Sequence, residues 1–171
     1  MYDPLAVANY FLEIADRESD QTVSNLKMQK LIYFAHGWHL AITGKPLVRG
    51  GVQAWRYGPV QPLVYEAFKH FGNERIAREA AVPIQSSSGK IAIDVPRLPD
   101  DAGAKFAKRL IERIWQVYGG YTALQLSNLC HRDGTPWKDI EMEHRGQIPS
   151  HCIIPDDKIR EHFQSQIQDA A

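Results

Sequence analysis

The stretch from Asn25 to Thr43 constrains the fold most. Met28, Leu31, Ile32, Ala35, Trp38, His39 and Ile42 recur on one helical stripe, and Leu26, Tyr33, Phe34 and Gly37 on a second. A helix that is apolar on two sides has to be covered on two sides. The spacing therefore predicts a central helix over about residues 25–43. Ser24 or Thr22 can cap its start, and Gly44, with Pro46 just beyond, marks its end.

The rest of the chain supplies elements to cover it. Asp3-Pro4 reads as the cap and first position of a helix over about 4–18, with Leu5, Ala8, Leu12 and Ala15 on its apolar face. Val52 to Tyr57 reads as a short strand ended by Gly58-Pro59, with Trp55 and Tyr57 facing one side and Arg56 the other. Gln61 to Phe71 reads as a helix, residues 81–95 as a β-hairpin turning at Gln85–Lys90, and Pro83 confines its strand to an edge. A long helix over about 101–118 carries Phe106, Leu110, Ile114 and Val117 on one stripe. Thr122 caps a further helix to about His131. A short helical turn follows Pro136-Trp137, and a last helix starts near Asp156. The expected fold is mainly α with a small antiparallel β-sheet, one domain over 1–171, without repeats or a long linker.

Composition narrows the function. Twenty Lys and Arg balance twenty Asp and Glu, so the formal net charge is zero, which argues against a dedicated nucleic-acid binder. Charge is nevertheless segregated. Residues 1–20 sum to −4 and residues 21–60, with Lys27, Lys30, Lys45, Arg49 and Arg56, to +5. These segments are either solvated faces on neighbouring elements or a basic surface for an acidic partner. No apolar run reaches the roughly 18–20 residues of a membrane span. Met1-Tyr2-Asp3-Pro4 lacks the basic and apolar regions of an export signal, and two cysteines cannot make a disulfide scaffold. A cytoplasmic protein is expected.

Motifs for chemistry are sparse. No nucleophile elbow, phosphate-binding glycine loop or dinucleotide fingerprint is present. Cys130-His131 and His151-Cys152 could supply soft ligands to zinc, but adjacent residues rarely hold one ion and the usual spacing is missing. His36 and His39 share a helix face among Trp38, Leu40 and Ile42, which suits core histidines better than ligands. Cys130 with a histidine base could imitate a thiol hydrolase, yet no third orienting group is placed. The helix, break and helix at the N-terminus match the outline of a DNA-reading motif, with Asn25, Lys27, Gln29 and Lys30 as its contacts. The long second helix and the neutral charge put that reading second. Trp55, Arg56 and Tyr57 are of the types that anchor protein interfaces. With Lys27 and Lys30 as a basic rim, they are the candidate partner-binding residues.

Several segments resemble one family when taken together. They are Pro4–Leu12, Leu26-Lys-Met-Gln-Lys-Leu-Ile-Tyr-Phe-Ala-His-Gly-Trp38, Gly44–Leu47, Ala54-Trp-Arg-Tyr-Gly-Pro-Val60 and His131 with Thr135-Pro-Trp137. In this order and spacing, over about residues 4–140, the chain resembles the SocA-like antitoxins, or Panacea domain, often described as phage-associated. The resemblance implies a predominantly helical, non-enzymatic antitoxin that needs no cofactor and neutralises by direct binding a toxin protein encoded nearby. For some members it also implies an adaptor that hands the toxin to a cytoplasmic unfoldase–protease. Tyr33, His36, Trp38, Gly58, Pro59, His131 and Trp137 match the family pattern as scaffold positions, and no catalytic residue carries over. The terminal Asp169-Ala170-Ala171 also resembles, faintly, a tail that unfoldases grip.

Overall fold

The computed structural model describes residues 1–18, 21–85 and 89–169, with Gln168 and Asp169 described by backbone alone. Ala170 and Ala171, and the Ser86–Ser88 part of the expected turn, lie outside the described residues. The described chain is mainly α with small antiparallel sheets.

Helix α1 spans Pro4–Arg17. The Asp3 carboxylate caps it by accepting the Leu5 amide at 2.8 Å, and Pro4 needs no amide partner there. Helix α2 spans Asn25–Thr43. It ends where Gly44 turns left-handed at φ 68° and returns its amide to the Leu40 carbonyl at 2.8 Å. Helices α3 (Pro62–Phe68), α4 (Ala102–Tyr118), α5 (Ala123–Cys130), α6 (Pro136–Glu143) and α7 (Asp156–Asp169) complete the helical set, and Lys69–Phe71 extends α3 as a 3-10 turn. Thr122 and Gln125 close α5 with a reciprocal capping box.

Helix α2 is central, as its two apolar stripes require. Helices α7, α4, α5, α3 and α1 all pack on it. Helix α7 lies close at Gly37, where a Cβ would fall 2.1 Å from the Phe163 ring. Phe163 in turn meets Tyr33, Phe34 and Trp38 edge-on at centroid distances of 5.7, 6.2 and 5.3 Å.

The structure corrects three expectations. The strand over 52–57 is two strands: β1 (Val52–Trp55) turns at Arg56-Tyr57 into β2 (Gly58–Val60). Gly58-Pro59 therefore opens a strand rather than ending one, and the alternation of Trp55, Arg56 and Tyr57 along a strand does not occur. A third strand, β5 (Ile153–Ile154), pairs with the other side of β1 to give the order β2-β1-β5, all antiparallel. Helix α4 buries Ala104, Ala107, Ile111 and Trp115 beside the expected Ile114, whereas Phe106 and Leu110 are only half-buried and Val117 is exposed. Alanines permit close approach and Trp115 supplies bulk, so neighbours set the buried face more than the largest side chains do. Helix α6 has eight residues rather than one turn.

The expected hairpin forms from β3 (Val82–Gln85) and β4 (Ile91–Asp94), with Pro83 opposite Ile93. Its feet are held by one side chain. Buried Asn9 of α1 accepts the Ala80 amide at 2.8 Å and donates to the carbonyls of Ala80 and Pro96 at 3.0 and 3.1 Å.

Candidate partner-binding surface

The β1–β2 hairpin carries the sequence-predicted anchors. Trp55 and Gly58 close it, leaving Arg56 and Tyr57 as a two-residue turn. Neither turn residue has positive φ, so the left-handed step falls on Gly58 at φ 100°. A Cβ at Gly58 would also stand 2.8 Å from Lys30 Nζ and 3.3 Å from His131 Nε2. The left-handed backbone favours glycine there, and a side chain would also have to displace the Lys30 ammonium.

The inner side of the hairpin is bonded to the helical core at several points. Lys30 Nζ donates to the Pro59 carbonyl at 3.0 Å, and Ser127 Oγ to the Tyr57 carbonyl at 2.8 Å. Trp137 Nε1 donates to the Trp55 carbonyl at 2.8 Å, and the Ala54 amide to the Cys152 carbonyl at 2.8 Å. His131 stacks on Trp137 with ring centroids 3.9 Å apart. The Trp55 indole donates to Gln53 Oε1 at 2.8 Å and meets the Tyr65 ring edge-on at 4.8 Å. The outer side is free. Tyr57 is 61% exposed, and the exposed Arg56 guanidinium lies 5.5 Å from its ring centroid.

Beside this tip an open cleft of about 540 Å³ lies between Trp55, Arg56, Trp137, Glu141 and the loop 146–151. Arg145, Gly146 and His151, at φ 51°, 79° and 61°, put three left-handed steps at the two ends of that loop. Sequence reasoning missed it. Gly146 and Pro149 mark only a loop, and its return beside Trp55 depends on the unforeseen β5.

Lys27 and Lys30 do not belong to this surface, which corrects the expectation of a basic rim. Both are buried. Lys27 Nζ reaches the Gly119 carbonyl at the end of α4, at 2.5 Å, and lies 5.6 Å from the Trp115 ring centroid. Burial lowers the pKa of both ammonium groups, that of Lys30 to about 8. They fasten the end of α4 and strand β2 to the central helix. Asn25 and Gln29 are buried too. Gln29 Oε1 accepts the Gln61 amide at 2.9 Å, and Asn25 Nδ2 donates to the Tyr65 carbonyl at 3.2 Å. The four residues expected to read DNA therefore face the interior, and that reading loses its contacts.

The other motif positions are internal. His36 Nδ1 accepts the Val48 amide at 3.4 Å, so Nε2 carries the hydrogen that bonds Asp156 Oδ1 at 3.0 Å. One ring thereby links α2, the loop before β1 and the start of α7. Tyr33 is buried, and its hydroxyl has no partner among the described residues. Trp38 is half-buried against Phe163.

The Cys130 thiol is not poised as a nucleophile. Cys130 is buried, and burial pushes its pKa up to about 12, so it is protonated at neutral pH. Among the described residues no three His, Cys, Asp or Glu side chains converge as a metal set. None of the described helices is long and apolar enough to cross a membrane.

A helical core thus holds a braced, outward-facing Arg-Tyr turn beside an open cleft. The chain belongs to the SocA-like antitoxin family: the family model described as "Antitoxin SocA-like, Panacea domain" matches residues 28–138. It is similar to Antitoxin SocA of Caulobacter vibrioides (strain NA1000 / CB15N), 36% identical over 164 residues, which covers 96% of this chain and 84% of that protein. No solved structure matches it.

Proposed function

We propose that this protein is the antitoxin of a toxin–antitoxin pair, acts in the cytoplasm without enzymatic activity, and neutralises a toxin protein encoded nearby by binding it directly. The similarity to Antitoxin SocA over nearly the whole chain carries this reading. Trp55, Arg56 and Tyr57, with the cleft beside them, form the contact surface. The turn is held from behind and its side chains are open in front, so little conformational entropy is lost when a partner docks. About 800 Å² on each partner suffices for a stable complex, more than the tip alone offers, so the cleft is part of the footprint. Glu141 in its wall and Arg56 at its mouth place both charges within one footprint, which gives directional complementarity to a partner.

The test is co-expression with the neighbouring reading frame. The wild type restores growth. Arg56→Glu and Tyr57→Ala, with unchanged circular dichroism, fail to do so. Full rescue by both folded variants refutes the surface, and a neighbour that does not harm cells refutes the antitoxin reading. Delivery of the bound toxin to an unfoldase–protease is the second part of the proposal and rests on the family resemblance. Its readout is a shorter toxin half-life when this protein is present.

A further inference from the structure

The β3–β4 hairpin stands apart from the surface just described. Ile91 and Ile93 of β4 are 80% and 71% exposed, although isoleucine is among the residues most often buried. Among the described residues the sheet has two strands, so both outer edges are open.

The edges are not equivalent. Pro83 has no amide hydrogen, yet it sits opposite Ile93 inside a continuous ladder. The Pro83–Ile93 pair is therefore of the non-hydrogen-bonded kind, as is Gln85–Ile91 two residues along. Ile91 and Ile93 consequently turn their amides and carbonyls away from β3, toward the free edge of β4. The edge of β3 lacks a donor at Pro83. An added strand fits β4.

The sequence of β4 specifies that strand. Lys90-Ile91-Ala92-Ile93-Asp94 is charge-complementary to itself when run antiparallel about Ala92. Lys90 then faces Asp94 of a second copy, Ile91 faces Ile93, and Ala92 faces Ala92. The backbone parity agrees. Ile91 and Ile93 supply the outward hydrogen-bonding groups, so the new Ile–Ile pairs are the bonded ones. Lys–Asp and Ala–Ala take the closer, non-bonded positions, which suit an ion pair and a small residue on the symmetry axis. Lys90 and Asp94 are exposed, and neither makes an ion pair among the described residues. Asn9 fixes the feet of the hairpin, so the strand is presented at a set angle.

We infer that the free edge of β4 pairs with β4 of a second copy of this chain, forming a two-fold dimer with a continuous four-stranded antiparallel sheet. This interface is isologous and leaves the Arg56-Tyr57 turn outside the pairing edge.

Sedimentation of the full chain over the micromolar range tests the inference. The wild type dimerises. Lys90→Asp and Asp94→Lys, each folded by circular dichroism, weaken self-association by about tenfold or more, since two like-charge pairs replace two opposite ones. An equimolar mixture of the two variants restores a dimer, because the carboxylates of one variant then face the ammonium groups of the other at both ends of the paired strands. Ala92→Cys crosslinks to a covalent dimer under mild oxidation, and the wild type does not. A wild type that stays monomeric overturns the inference. So does a dimer that neither charge reversal weakens, or a mixture no stronger than its components. If the wild type is monomeric and Ile93→Lys instead abolishes toxin binding, the edge serves a different protein and the dimer is refuted.

Discussion

Lys30 Nζ, fully buried on α2, donates to the carbonyl of Pro59 across 3.0 Å and holds the second strand of the exposed hairpin to the central helix. This bond joins the middle of the core to the surface that meets solvent. Its donor is a cation kept at a lowered pKa of about 8 by its own burial.

That pKa sets a pH dependence. Between about pH 8 and 10.5 the folded chain has released the Lys30 proton while the unfolded chain still holds it. The unfolded state then binds more protons, so this group adds stability as pH rises. Cys130 works the other way. Its thiol stays protonated in the fold up to about pH 12, and the unfolded thiol ionises near pH 9, so its contribution falls above that point. Comparison with a variant separates the two. The destabilisation caused by Lys30→Met grows from pH 7.5 to pH 10 by about 2–3 kcal/mol, measured by urea unfolding at each pH.

Tyr33 has a buried hydroxyl without a partner among the described residues. Such a group costs desolvation free energy with no bond in return. Tyr33→Phe is expected to be neutral or to raise stability by up to about 1 kcal/mol. A loss above that range in chemical denaturation means the hydroxyl is bonded after all.

Gly37 lets α7 lie against α2. An alanine there would put its methyl within 2.1 Å of the Phe163 ring, which is buried and cannot swing into solvent. Gly37→Ala is expected to cost about 2 kcal/mol or more through overpacking. Gly37→Ala combined with Phe163→Leu should recover part of that loss. Thermal melts of the two single variants and the double variant give the coupling.

Arg56 and Tyr57 should behave in the opposite manner. Arg56→Glu and Tyr57→Ala leave the free energy of unfolding in urea within about 0.5 kcal/mol of wild type, as exposed turn residues do, and abolish neutralisation of the toxin. A stability loss that tracks the functional loss means the residues belong to the scaffold.

The helices were legible because the caps and stops are local chemistry. Ser24 and Gly44 bracket α2, Asp3-Pro4 starts α1, and Thr122 with Gln125 starts α5. The central position of α2 also follows from its two apolar stripes. The geometry of the candidate site was half legible. Trp55, Arg56 and Tyr57 stand together, but a two-residue turn hid inside what reads as one strand, because Gly58-Pro59 is an equally good end signal. Lys27 and Lys30 misled for a different reason. A charged residue normally faces water, and nothing local reveals that a carbonyl from Pro59 or Gly119 waits across the fold. The cleft wall formed by loop 146–151 depends on pairing β1 with β5, a contact a hundred residues apart and two residues long.

The bonds that brace the β1–β2 hairpin come from main-chain carbonyls on one side, at Trp55, Tyr57 and Pro59. None of them depends on which side chains occupy positions 56 and 57. Those two side chains can therefore be exchanged while the frame behind them keeps its shape, as fingertips change on an unaltered grip.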